Sequence, residues 1–116
     1  MVADFEAGLG ALTRMETGDV DVLLVMAEPS AKAIEVARRA VALIAGKNLG
    51  RAVLIANRFR EEDLRLLDDG FGGLRPVIVP EDAALRSADS TGIAPFDATP
   101  GAPAVRALMD LAMSLV

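Results

Sequence analysis

Apolar and polar positions along the chain fall into blocks with two different periods. Residues 20–27 (Val-Asp-Val-Leu-Leu-Val-Met-Ala) are apolar except for Asp21, and Glu28-Pro29-Ser30 closes the run. A continuous branched run between breakers predicts a strand buried on both faces, the pattern of a parallel sheet. The next block changes period. Ile34, Ala37, Val41 and Ile44 recur at helical spacing, while Lys32, Glu35, Arg38 and Arg39 are left for solvent. This predicts an amphipathic helix with Ser30 as its cap, Gly46 or Gly50 as its stop and Lys47 near its negative end.

The alternation then repeats. Residues 52–56 (Ala-Val-Leu-Ile-Ala) predict a second strand ended by Asn57-Arg58, and Glu61, Glu62 and Asp63 suit the first turn of a short helix that carries Leu64 and Leu67 on one side. Gly70, Gly72 and Gly73 stop that helix; they follow a helix rather than a strand, so they are read as a stop and not as a phosphate cradle. Residues 76–79 predict a third strand, closed by Pro80, and residues 81–88 a short helix. Residues 89–103 are rich in Gly, Pro, Ser and Thr and read as a long surface loop. A last helix is expected to pack through Val105, Leu108, Met109, Ala112 and Leu115, with Met109 and Met113 as core or interface filler. Strand, helix, strand, helix is the α/β order, with right-handed crossovers and helices on both faces of a mainly parallel sheet.

Composition narrows the function classes. The 116 residues suit one domain, and 53% hydrophobic residues are ample for a core. The net charge of -5 and a lysine count of two (Lys32 and Lys47) argue against nucleic-acid binding, which needs clustered cations. With no Cys and no His, thiol nucleophiles, imidazole bases and thiolate or imidazole zinc sites are excluded. No apolar run is long enough to span a bilayer, and no basic-then-apolar leader opens the chain, so a cytoplasmic location is expected.

Ligands of open parallel sheets bind beyond the carboxyl ends of the strands. On that rim the pattern places Asp4 and Glu6, then Glu28 to Ser30, then Asn57 and Arg58, then Pro80 to Asp82. On the residues alone, Asp4 is also readable as a solvated acid at a strand end and Asn57 as a cap for the loop before Glu61. Ser30 has no base to activate it and reads as a helix cap. A receiver-like signalling domain does not fit, because Asn57 and Pro80 stand where an acid or lysine would be needed.

Three segments together carry a resemblance: Val2-Ala3-Asp4-Phe5-Glu6-Ala7-Gly8-Leu9, the strand from Val20 with Glu28-Pro29-Ser30, and Ile55-Ala56-Asn57-Arg58 followed by Val79-Pro80-Glu81-Asp82 and Gly92. In order and spacing they resemble the C-terminal half of MinD/ParA-type (SIMIBI) P-loop ATPases, most of all the CooC-like accessory ATPases linked to nickel insertion into carbon monoxide dehydrogenase. The resemblance implies a partial P-loop NTPase-like three-layer sandwich with ATP and Mg2+ as cofactors. It assigns magnesium, through water, to Asp4, the turn beside the γ-phosphate to Gly8, the adenine edge to the Asn57 amide, and the other side of the base to the backbone around Pro80 and Glu81.

The resembled family also carries a glycine-rich lysine loop, and no Gly-x-x-x-x-Gly-Lys occurs in these 116 residues. Triphosphate affinity depends largely on that loop, so this chain is not expected to hydrolyse ATP alone. In the resembled fold, strand 20–27 lies beside the strand that feeds the missing loop. An apolar edge without that neighbour is a pairing hazard, so a homodimer is expected, or a partner chain that carries the loop. The alternative reading is a stand-alone, non-catalytic α/β binding or scaffold module, dimeric through the same edge.

Overall fold

The computed structural model describes residue 3, residues 9–67, residue 71 and residues 73–115. Three strands form one sheet in the spatial order β1 (Val22–Ala27), β2 (Arg51–Phe59), β3 (Val77–Pro80). Both pairings are parallel, Val22 to Ala27 against Arg51 to Ala56, and Ile55 against Val77 onward. The helices are α1 (Gly10–Arg14), α2 (Ala31–Lys47), a 3₁₀ helix (Glu61–Leu67), α3 (Ala83–Thr91), α4 (Pro95–Ala98) and α5 (Pro103–Ser114). The α/β class and the parallel sheet are as the pattern predicts.

Alternation along β2 sorts the core into two faces. Leu54 and Ala56 join Ala27, Ile34, Ala37, Phe59 and Phe71 under α2. Ile55, one residue out of phase, joins Val79, Ala104 and Leu111 under α5 on the opposite face. A third cluster of Met15, Leu23, Ile44 and Leu49 closes the end of α2. The α2 stripe is as predicted: Ile34, Ala37 and Ile44 are buried, and Ser30 Oγ accepts from the Ala33 N–H at 3.1 Å as the cap. Arg38 is not simply solvated, since its guanidinium lies 5.7 Å from the centre of the Phe71 ring. Lys47 does more than sit at a helix end. Its Nζ donates to the Leu12 and Thr13 carbonyls, at 3.1 and 2.9 Å, and so holds the last turn of α1, a helix the pattern did not predict.

The stop of α2 is neither candidate glycine. Gly46 lies inside the helix and Asn48 takes the left-handed cap at φ 52°. Gly50 serves the next step, at φ 148°, where a Cβ would lie 3.0 Å from the Asp21 carbonyl that pairs with the Arg51 N–H.

Residues 89–103 are more ordered than a loop. Ser90 and Thr91 hydroxyls bond back to the Arg86 and Ala88 carbonyls, so these residues satisfy α3 rather than end it, and Gly92 caps it at φ 74°. Pro95 then starts the single turn of α4. The packing face of α5 is only partly the expected one. Val105 is buried as expected, together with Ala104 and Leu111, whereas Leu108, Met109, Ala112 and Leu115, also expected to pack, are exposed, as is Met113. Small residues let the helix approach β3 closely, and the bulky stripe turns outward.

Candidate functional site

Because every strand runs the same way, the residues after β1, β2 and β3 share one rim. Glu28 follows Ala27, whose register partner is Ala56, so the next step brings Glu28 level with Asn57. Asn57 Nδ2 donates to Glu28 Oε1 at 3.2 Å. A register shift between Asn57 and Phe59 follows, with Arg58 in the left-handed region at φ 60°. That conformation is costly for a residue with a Cβ. It lets Phe59 return to the core, 2% exposed, and turns Arg58 out along the rim.

There Arg58 Nε lies 4.0 Å from Glu28 Oε2 and 3.5 Å from Glu81 Oε2. Arg86, one turn into α3, pairs with the other oxygen of Glu81. The Arg86 hydrogen bond holds the Glu81 carboxyl below the usual carboxylate range, and Arg58 adds to this, while partial burial acts in the opposite sense. The Glu81 N–H donates to the Phe59 carbonyl at 3.1 Å, which fixes the chain where β3 ends.

Asp82 ties two helices to this rim. Its Oδ1 accepts from the Ala84 N–H at 2.9 Å as the cap of α3, and its Oδ2 accepts from the Ala104 N–H at 3.2 Å in the first turn of α5. One carboxylate thus serves two helix N-termini, where negative charge is favoured.

Beside them lies a half-open cavity of about 280 Å³ lined by Asn57, Arg58, Pro80, Glu81, Leu85 and Arg86, among others. The volume is just under the roughly 300 Å³ at which drug-sized clefts begin, room for a group no larger than one planar ring system. An amide, exposed guanidinium groups and a proline face can bind and orient such a ring. Glu81 is engaged by two cations and is a poor candidate for a proton acceptor.

Asn57, Pro80 and Glu81, three of the expected site residues, therefore come together around one cavity. Asp4 and Gly8 lie outside the described residues. Among the described residues no group of three or more acids could hold a metal ion, and no helix is long and apolar enough to cross a membrane. The rim also recruits Arg86, which strand-end reasoning did not reach. Its signal is the spacing from Glu81, five residues, or one helical turn past the Asp82 cap. Glu28 and Arg58 were placed on the rim by pattern, but their roles as clamp and bridge depend on register and on the bulge.

No protein-family model matches the chain. The whole chain aligns with an uncharacterized ATP-binding protein of Methanocaldococcus jannaschii, 29% identical over 122 aligned positions. The alignment covers 100% of this chain and 46% of that protein, so the chain spans about half the length of the relative it matches.

Proposed function

We propose that this chain is the base-binding portion of an adenine-nucleotide site, in the manner of the C-terminal half of a MinD/CooC-like ATPase, and that it acts in the cytosol. The observation that carries the reading is the meeting of Asn57, Pro80 and Glu81 around one cavity at the carboxyl ends of β2 and β3. A distant match of the whole chain to about half of a protein named as ATP-binding supports it. In this reading the Asn57 amide contacts the base edge, the Pro80–Glu81 backbone lines its far side, and Arg58 and Arg86 flank the polar end. When bound, magnesium would screen the phosphates, and Asp4 is the acid proposed to face it through water, beside the Gly8 turn.

These 116 residues contain no lysine loop to hold a triphosphate, so the chain does not hydrolyse ATP alone and its own affinity is weak. Titration of the chain with ADP, followed by amide NMR, is expected to give saturable shifts at Asn57 and Glu81 with affinity on the order of millimolar. Absence of shifts at these positions rejects the base site. Micromolar affinity rejects the view that phosphate binding needs a loop from elsewhere.

A second reading, a non-catalytic binding or scaffold module that is dimeric, is favoured by one observation. Among the described residues β1 pairs with β2 alone, and its Leu24 and Met26, on one face of the sheet, are 49% and 57% exposed. In this reading the edge of β1 takes a second copy in a twofold arrangement. The same edge would accept a partner chain that carries the loop. Light scattering after size exclusion distinguishes them: a dimer that ignores ADP favours the scaffold, and a monodisperse monomer removes the dimer.

A further inference from the structure

We propose that Glu28 sets the base selectivity of the cavity by fixing the orientation of the Asn57 amide, so that Asn57 Oδ1 is offered as the acceptor for an exocyclic amino group. The inference rests on the adenine reading above and adds a determinant to it. A side-chain amide has one donor end and one acceptor end, and it can present either to a ligand. A purine with a 6-amino group needs an acceptor at that position; a purine with a 6-oxo group needs a donor. A lone Asn57 could turn to serve both.

Glu28 removes that freedom. An ionised carboxylate only accepts, so the Asn57 group 3.2 Å from Glu28 Oε1 is the amide NH₂. With one N–H held by Glu28, the amide cannot turn over, so Oδ1 keeps a fixed place as acceptor beside the second N–H. Glu28 is aimed by the same rim, because Arg58 Nε lies 4.0 Å from its second oxygen. Arg58 is in turn anchored on Glu81, at 3.5 Å, and Glu81 is held by Arg86. The chain of contacts runs from α3 to the end of β1, and Asn57 is its last member. Glu28 touches no part of the ring in this arrangement. It is a positioning residue that acts through Asn57.

The test compares ADP with inosine 5′-diphosphate, two ligands that differ at the 6-position of the ring. Calorimetry or NMR titration of the wild-type chain is expected to show ADP binding about tenfold tighter. Glu28→Gln, whose amide can face either way, brings the ratio close to one. Glu28→Lys, which can only donate, holds Oδ1 instead, presents the NH₂ end to the ligand and inverts the preference. The Glu28 side chain is 50% exposed, so neither variant threatens the fold. In the free protein, Glu28→Gln is expected to shift the Asn57 side-chain NH₂ resonances, whereas Glu35→Gln on α2 leaves them in place. A ratio that is the same in wild type and in both Glu28 variants overturns this inference and leaves the adenine reading standing. If neither nucleotide perturbs Asn57, the adenine reading fails and this inference fails with it.

Discussion

β1 and β2 are neighbouring strands with nearly the same apolar alphabet and very different surroundings. In β2, Leu54, Ile55 and Ala56 are all at most 1% exposed, because α2 covers one face and α5 the other. In β1, Leu23 and Ala27 are buried under α2, while Leu24 and Met26 on the opposite face are about half exposed. α5 sits over β3 and the near side of β2, and no described helix reaches across to β1 on that face. An unbroken apolar run therefore marks a strand meant to be covered on both sides, and it does so whether or not the cover lies within these residues.

The largest expected effect is in β2. Leu54→Ala opens a cavity beneath α2 and should cost about 2–5 kcal/mol in chemical denaturation. A loss under about 1 kcal/mol would mean that β2 is not the packed centre described here.

Next is the joint between the covered region and the rim. Asp82→Ala removes the cap of α3 and leaves the Ala104 N–H without its acceptor, so a loss of about 1–2 kcal/mol is expected. Asp82→Asn keeps one acceptor oxygen but sets an NH₂ against the other N–H, so it should recover at most one of the two bonds and lose less than Asp82→Ala. Equal losses in the two variants would show that holding one cap bond alone contributes nothing, and that the bonds at both helix starts are needed together.

Leu24→Ala should cost less than about 1 kcal/mol, because half of the side chain already meets water. A cost close to that of Leu54→Ala would show that the β1 face is covered in solution, and the loss should then depend on protein concentration.

The smallest effect is in pH. Glu81 has its folded-state carboxyl lowered, by the Arg86 hydrogen bond first and then by Arg58. A group lowered on folding contributes stability that is fully present above its unfolded value, about 4.3 for Glu. That contribution is lost as pH falls from there through the folded value. Glu81→Gln should therefore be slightly less stable than wild type at neutral pH, and the two should converge only in strong acid. Convergence already at pH 6 would contradict the ion-pair geometry.

Much of the site was legible before the fold was seen, because parallel topology places strand ends on one rim. Asn57, Pro80 and Glu81 follow from that rule together with the resemblance. The bulge at Arg58 was not legible. A left-handed arginine has no local sequence signature, and it arises because Phe59 must return to the core one residue later. The face of α5 is only partly legible, at Val105, for a related reason. Both stripes of that helix are apolar, and periodicity cannot tell which of two apolar stripes meets the sheet. Ser90 and Thr91 have loop composition, yet their hydroxyls can also bond to helical carbonyls, and position within α3 selects the second use.

The residue pattern alone settles the α/β alternation, the strand direction and the α2 stripe with its Ser30 cap, because these depend on local period and residue chemistry. The pairing of Asn57 with Glu28, the Arg58 bridge, the double cap at Asp82 and the bare face of β1 depend on register and on which helix lies over which strand. Apart from the local cap bond to Ala84, those contacts join residues 22 to 30 positions apart in the chain, and they exist only once the elements have come together in the fold.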